Sequence, residues 1–185
     1  MYSNSSINIQ SGKWPHLHDP RFNEQISDSI SGGSVGLEVD LQEAQRFLEW
    51  LDPEAESFTF QTFDDKKEKR SNLVRQLHSD FNSVADKLVE LNSAGAGIYV
   101  AVQRTDLKGR KTENIVGLRA LYGDFDQGLP QEFPLEPSIV IQSSSGKYQC
   151  YWLCHELNRQ DFKCLMECLV EDFGADKGAK EVLSR

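Results

Sequence analysis

The sequence predicts an α+β, or mixed α/β, domain. Helical and strand-like segments alternate through its first half, and several strands cluster in its second half before a last helix. A chain of 185 residues suits one domain, or one domain and a tail.

Residues 1–36 are rich in Ser, Asn, Gly and Gln and carry the breaker run Ser31-Gly32-Gly33-Ser34, with Trp14, Leu17 and Phe22 scattered without period. That composition predicts a disordered tail with one short docked piece. The ordered domain is expected over 37–185. Asp40 is a good N-cap, and Leu41, Ala44, Leu48 and Leu51 recur at helical spacing until Pro53 ends the run. Residues 57–63, Ser-Phe-Thr-Phe-Gln-Thr-Phe, alternate as a half-buried strand does. After a turn at 64–67, Leu73, Leu77, Phe81, Val84, Leu88 and Leu91 predict one long amphipathic helix over 71–91. Gly95 and Gly97 end it and lead to a strand at 98–102. Further strands are expected at 118–122, running into Asp124-Phe125-Asp126, at 138–142 and at 148–154. Pro130, Pro134 and Pro137 hold an extended connection between the first two of these. A final helix spans 159–173 and stops at Gly174.

Several function classes drop out early. No apolar run approaches the roughly 18–20 residues that span a bilayer, so an integral membrane protein is excluded. The N-terminus lacks a basic start followed by an apolar stretch, and a reducing cytoplasm is the default compartment. Twenty basic residues against twenty-nine acidic ones give a net charge of −9 and exclude a uniformly basic nucleic-acid coat. A local basic groove is compatible with that total. Between Val100 and Arg119, five basic residues (Arg104, Lys108, Arg110, Lys111 and Arg119) face only Asp106 and Glu113. Taken alone, the plain reading of these charges is a solvated hairpin tip.

All four cysteines lie between Cys150 and Cys168, which is no disulfide framework. Their spacing invites a zinc site. However, Cys150 and Cys154 on one strand lie about 13 Å apart, too far to share an ion. Cys164 and Cys168, four apart on a helix, are expected to act as small buried apolar residues.

The strongest chemical signal is Asp124-Phe125-Asp126. On a strand, residues i and i+2 share a face, roughly 6.5–7 Å apart, so both carboxylates meet solvent while Phe125 anchors the core. A divalent cation relieves their repulsion, and Mg²⁺ characteristically takes one or two carboxylates and completes its shell with phosphate oxygens and water. An acidic turn is the plain alternative. A second signal, Ser143-Ser144-Ser145-Gly146-Lys147-Tyr148-Gln149, sits between two strands. Small residues let a phosphate approach the backbone, and Lys147 brings it charge. The G-x-x-x-x-G-K-[ST] pattern is absent, and an ordinary hairpin turn is again the plain reading.

The order of these parts, from Asn114 through Asp126 and then from Pro137 through Trp152, resembles the RepB-type primases of plasmids, phages and integrated elements, within the archaeo-eukaryotic primase superfamily. There an Arg-containing strand leads to D-x-D, and an S-x-G-K-Y-H/Q-x-Y-W-like hairpin follows. The segment 102–110, with Thr105-Asp106-Leu107-Lys108-Gly109-Arg110, is similar to the family's T-D-x-x-G-R hairpin. The resemblance covers about 58–185. It implies a primase-like mixed or antiparallel sheet with an RRM-like core, flanked by helices. It also implies a metal-dependent nucleotidyltransferase that starts or extends a chain on a single-stranded or primed DNA template, using nucleoside triphosphates.

By the same resemblance Asp124 and Asp126 hold Mg²⁺ or Mn²⁺, and Asp176 or Glu181 is the third acid. Arg119, Ser145, Gly146, Lys147 and Gln149 serve the nucleotide, while Arg104, Lys108, Arg110 and Lys111 serve DNA. This chain has Gln149 where many members carry His, and it stops where an R-x-P-G stretch is expected. That leaves a fragment of a longer protein, with a helicase part beyond it, or a short form. A primase-like module that binds DNA or docks on a replisome without catalysis is the competing reading. A D-x-D phosphatase of the haloacid-dehalogenase type fits less well, because Gln127-Gly128-Leu129 follows the pair and the pair lies late in the chain.

Overall fold

The structure, a computed structural model, describes residues 8–9, 39–64 and 70–179. Nearly all of the expected tail, and Glu181, lie outside the described residues. Helix α1 (Leu41–Leu51) starts at Asp40, whose carboxylate accepts the Glu43 amide at 2.9 Å. It ends at Asp52, and Leu48 and Leu51 are buried. Strand β2 (Phe58–Asp64) is the centre of a three-stranded antiparallel sheet, between β3 (Arg75–Ser79) and β4 (Ala96–Val100). Helix α2 (Phe81–Ser93) runs from β3 to β4 and packs Phe81 against Phe60, with ring centroids 6.2 Å apart.

The long helix expected over 71–91 is therefore a short 3-10 turn (Ser71–Leu73), strand β3 and helix α2. Leu73, Leu77 and Phe81 recur every four residues, a spacing that satisfies a helical face and also the two-residue period of a strand. Pairing with β2 decides in favour of the strand. Asp80 then caps α2 by accepting the Ser83 amide at 2.9 Å.

A two-stranded ribbon follows, β5 (Arg104–Thr105) with β6 (Ile115–Gly117). The second large sheet is built on β9 (Lys147–His155), which pairs antiparallel with β7 (Ala120–Phe125) and with β8 (Ile139–Ser144). Strand β1 (Asn8–Ile9) adds to the end of β9, opposite His155 and Cys154, so this one piece of the N-terminal segment is docked. Among the described residues every pairing is antiparallel, and the sheet expected as one is divided into four-, three- and two-stranded parts. Helix α3 (Arg159–Glu171) packs against β7, with Met166 fully buried and the Phe162 ring tilted against that of Tyr122. Phe133, from the proline-rich connection, touches the rings of Phe125, Trp152 and Phe173 and closes the core.

The α+β class is thus observed, with three α-helices among the described residues. None of these helices is long and apolar enough to cross a membrane. Cys164 and Cys168 are exposed on α3, contrary to the expected burial, because Phe162, Met166, Leu169 and Val170 take its inward face.

Candidate functional site

The acidic pair and the serine–glycine–lysine hairpin are neighbours in one sheet. Strand β7 lies against β9 in a register that sets Asp124 opposite Gln149 and Phe125 opposite Tyr148. One step further along the same register, Asp126 falls opposite Lys147. Strand alternation puts Asp124, Asp126, Lys147 and Gln149 on one face, while Phe125 is buried on the other. The Lys147 ammonium meets an Asp126 carboxylate oxygen at 3.1 Å, and these side chains are 50% and 64% exposed. Asp126 itself stands just past the end of β7, in the turn.

The hairpin is tight. Ser144 pairs with Lys147 across a bulge, leaving Ser145 and Gly146 as the turn. Gly146 has φ +73°, the left-handed region that a Cβ disfavours, although nothing lies close enough to exclude one by contact. Ser143, Ser144 and Ser145 are exposed, so the turn offers hydroxyls, backbone and the Lys147 charge to solvent. Gln149 is half-buried, and its side-chain oxygen accepts from the Tyr151 hydroxyl at 3.3 Å.

The chain returns to this place after α3. Gly174 turns it with φ +74°, and the Asp176 amide then donates to the Asp124 carbonyl at 2.8 Å. Gly123 permits the approach, since a Cβ there would stand 3.2 Å from that of Ala175. Asp176 is exposed, and its carboxylate accepts the Gly178 amide at 3.2 Å. Asp176, one of the two candidates for the third acid, is thereby tied by its backbone to Asp124. Among the described residues, no three Asp, Glu, His or Cys side chains are gathered closely enough to hold a metal. Two carboxylates of hard oxygen, one of them well exposed, do fit what Mg²⁺ or Mn²⁺ takes from a protein when phosphate and water supply the rest. The Asp124 charge also reaches the core. Burial, with Asp124 second, pushes the Cys150 thiol up to about 12.

Arg119, which the resemblance assigns to the nucleotide, is buried and engaged with protein partners. Its Nε donates to Asp52 at 2.6 Å, its Nη1 to the Gln103 carbonyl at 3.2 Å, and its guanidinium lies 4.8 Å from the Phe58 ring centroid. Arg104, expected on DNA, also donates to Asp52, at 2.8 Å, while remaining half exposed. Asp52 and Gln103 are the residues that sequence reasoning missed. In the sequence Asp52 goes unremarked beside Pro53, which ends the run of α1, and Gln103 is only one position of the hairpin segment 102–110. Gln103 accepts the Arg119 amide and donates to the Ala120 carbonyl, both at 2.8 Å, and so fixes the start of β7. No local pattern joins residues this far apart in the chain.

The other three basic residues expected on DNA do converge. Lys108, Arg110 and Lys111 line a surface cleft of about 460 Å³ with Gln76 and Glu113. The loop that carries them is braced by Asp106, which accepts the Lys108 amide at 2.9 Å and the Asn114 side chain at 3.2 Å. The Lys108 amide bond foremost holds the Asp106 carboxyl below its usual range.

Comparison of the chain with protein-family models, with curated proteins and with solved structures finds no match.

Proposed function

We propose that this chain is a metal-dependent nucleotidyltransferase, a DNA primase or primase-polymerase domain serving replication of a plasmid, phage or integrated element. One observation carries the reading. The D-x-D strand and the serine–glycine–lysine hairpin, read separately from the sequence, are register partners, and Asp126 and Lys147 meet across them. Their order along the chain had suggested the primase resemblance, and a primase-like fold is part of the same proposal.

In nucleotidyl transfer a 3′-hydroxyl displaces pyrophosphate from the α-phosphorus, so negative charge gathers on the leaving group. Asp124 and Asp126 would hold Mg²⁺ or Mn²⁺, which supplies Lewis-acid neutralisation of that charge. Lys147, at the mouth of the turn, exchanges its exposed pairing with Asp126 for a triphosphate oxygen, a charge-assisted bond of greater strength. The backbone and hydroxyl of Ser145, with Gly146, bring donors close to the same phosphates, and Gln149 donates through its amide. Asp176 holds its place beside Asp124 through the backbone bond. Arg119 acts through the fold, by fixing the entry to β7, and the loop of Lys108, Arg110 and Lys111 meets the DNA backbone.

Gln149 favours a second reading, a primase-like module that binds DNA or docks on a replication complex without catalysis. It offers an amide where a His would bring charge. Calorimetry with a nucleoside triphosphate and Mg²⁺ separates the two. The transferase reading predicts metal-dependent nucleotide binding by the folded chain. Absence of that binding favours the module.

A further inference from the structure

The sheet β3-β2-β4 carries an aromatic face, bordered by the basic loop, that the metal and nucleotide site does not use. Register sets Gln76, Gln61 and Tyr99 in one row across the three strands, and alternation adds Phe63 to the same face. Tyr99 is 53% exposed, and its ring meets the half-buried Phe63 edge to face at 5.7 Å. On Phe63 the Arg110 guanidinium sits 5.2 Å from the ring centroid. Arg110 and Gln76 also line the cleft that holds Lys108 and Lys111, where three cations face one carboxylate, Glu113. An open aromatic ring is thus continuous with a pocket of positive charge, in a chain whose net charge is −9.

We propose that this face binds single-stranded nucleic acid, with a base stacked on Tyr99 and adjoining phosphates in the cleft of Lys108, Arg110 and Lys111. The charge there selects a polyanion, and the exposed ring selects a polyanion with unpaired bases. A duplex keeps its bases stacked on one another and offers the ring nothing. An acidic peptide would use the lysines and ignore the ring. The loop is braced for this through Asp106 and Asn114, and Gly109 lies against the Asn114 side chain where a Cβ would clash. The proposal rests on the nucleic-acid part of the function proposed above and is independent of its chemistry.

The test is fluorescence anisotropy of a labelled oligothymidylate with the whole chain, over a range of salt, with nucleotide incorporation assayed on the same samples. Tyr99→Ala should weaken binding at least about fivefold, the lower end of what one stacked base contributes. Tyr99→Phe should restore it, and the salt slope should not change. Lys108→Ala and Lys111→Ala should each reduce that slope by about 0.7, as loss of one phosphate contact on a single strand does. Equal binding by wild type and Tyr99→Ala, equal affinity for a duplex, displacement by polyglutamate at matched charge, or no binding by the folded wild type would each overturn the proposal. Incorporation that persists beside any of these leaves the transferase reading standing. Tyr99-dependent binding without incorporation does the reverse.

Discussion

Two charged clusters in this molecule use the same residue types and are held under opposite conditions. Asp52 with Arg119 and Arg104 is an inner cluster, where the Asp52 and Arg119 side chains are 7% and 6% exposed. Burial pushes the Asp52 carboxyl up, but hydrogen bonds from Arg119 and Arg104, with their charges, outweigh it and hold the group below its usual range. Burial foremost, together with the Arg104 charge, outweighs what Asp52 returns to Arg119, which lies below its ordinary value. Asp126 with Lys147 is an outer cluster, exposed and bound by one contact of 3.1 Å. Buried ion pairs are costly to break because a lone charge remains in a poor solvent, whereas exposed pairs contribute about 0–1 kcal/mol. The inner cluster therefore fixes the strand on which the outer one is displayed. The outer one is left able to change partners.

That contrast predicts where substitution harms folding and where it harms function. Asp52→Ala should lower the unfolding free energy by about 3–5 kcal/mol in a denaturant titration, because Arg119 stays buried without its carboxylate. Asp126→Ala should stay within about 0.5 kcal/mol of wild type in the same titration. A carboxyl held low in the folded state stabilises above its unfolded value, so the Asp52 contribution should vanish as pH falls through and below the ordinary carboxylate range. An Asp52→Ala protein as stable as wild type at neutral pH would erase the distinction between the clusters.

Lys147→Ala sharpens it from the other side. A charge-assisted bond to a triphosphate is worth about 1.5–3 kcal/mol, so the apparent nucleotide KM should rise roughly ten- to a hundred-fold with the unfolding midpoint unchanged. Gln149→His should keep or improve nucleotide affinity, since the imidazole can add charge there. The turn itself carries a smaller effect than Lys147. Gly146→Ala should cost about 1–2 kcal/mol through its left-handed φ alone, and thermal unfolding would register that.

Much of the fold was legible because the signals were local. Asp40 and Pro53 bracket α1, and Gly174 marks the end of α3. Strand β3 was not, because apolar residues four apart fit two periods and only the β2 partner chooses between them. The site divides in the same way. Asp124-x-Asp126 and Ser145-Gly146-Lys147 each announce themselves as motifs, but their contact depends on the β7–β9 register, which local sequence does not encode. The resemblance alone assigned Arg119 to the nucleotide, and its burial was not visible in the sequence. Its partner Asp52 lies 67 residues away. Tyr99 and Phe63 read as ordinary strand aromatics until pairing placed them on one face with Arg110.

The central claim is that the outer cluster performs nucleotidyl transfer. The most direct measurement is incorporation of a labelled nucleotide on primed and unprimed single-stranded DNA, with Mg²⁺ or Mn²⁺ and with a chelator. It should compare wild type with the Asp124→Ala, Asp126→Ala double variant, after matched unfolding curves show both folded. The account predicts incorporation by wild type that the chelator abolishes, and a loss on the order of a thousand-fold in the double variant, the several kcal/mol that charge neutralisation at the phosphates supplies. Full activity in the folded double variant, or none in wild type with either metal, would contradict it.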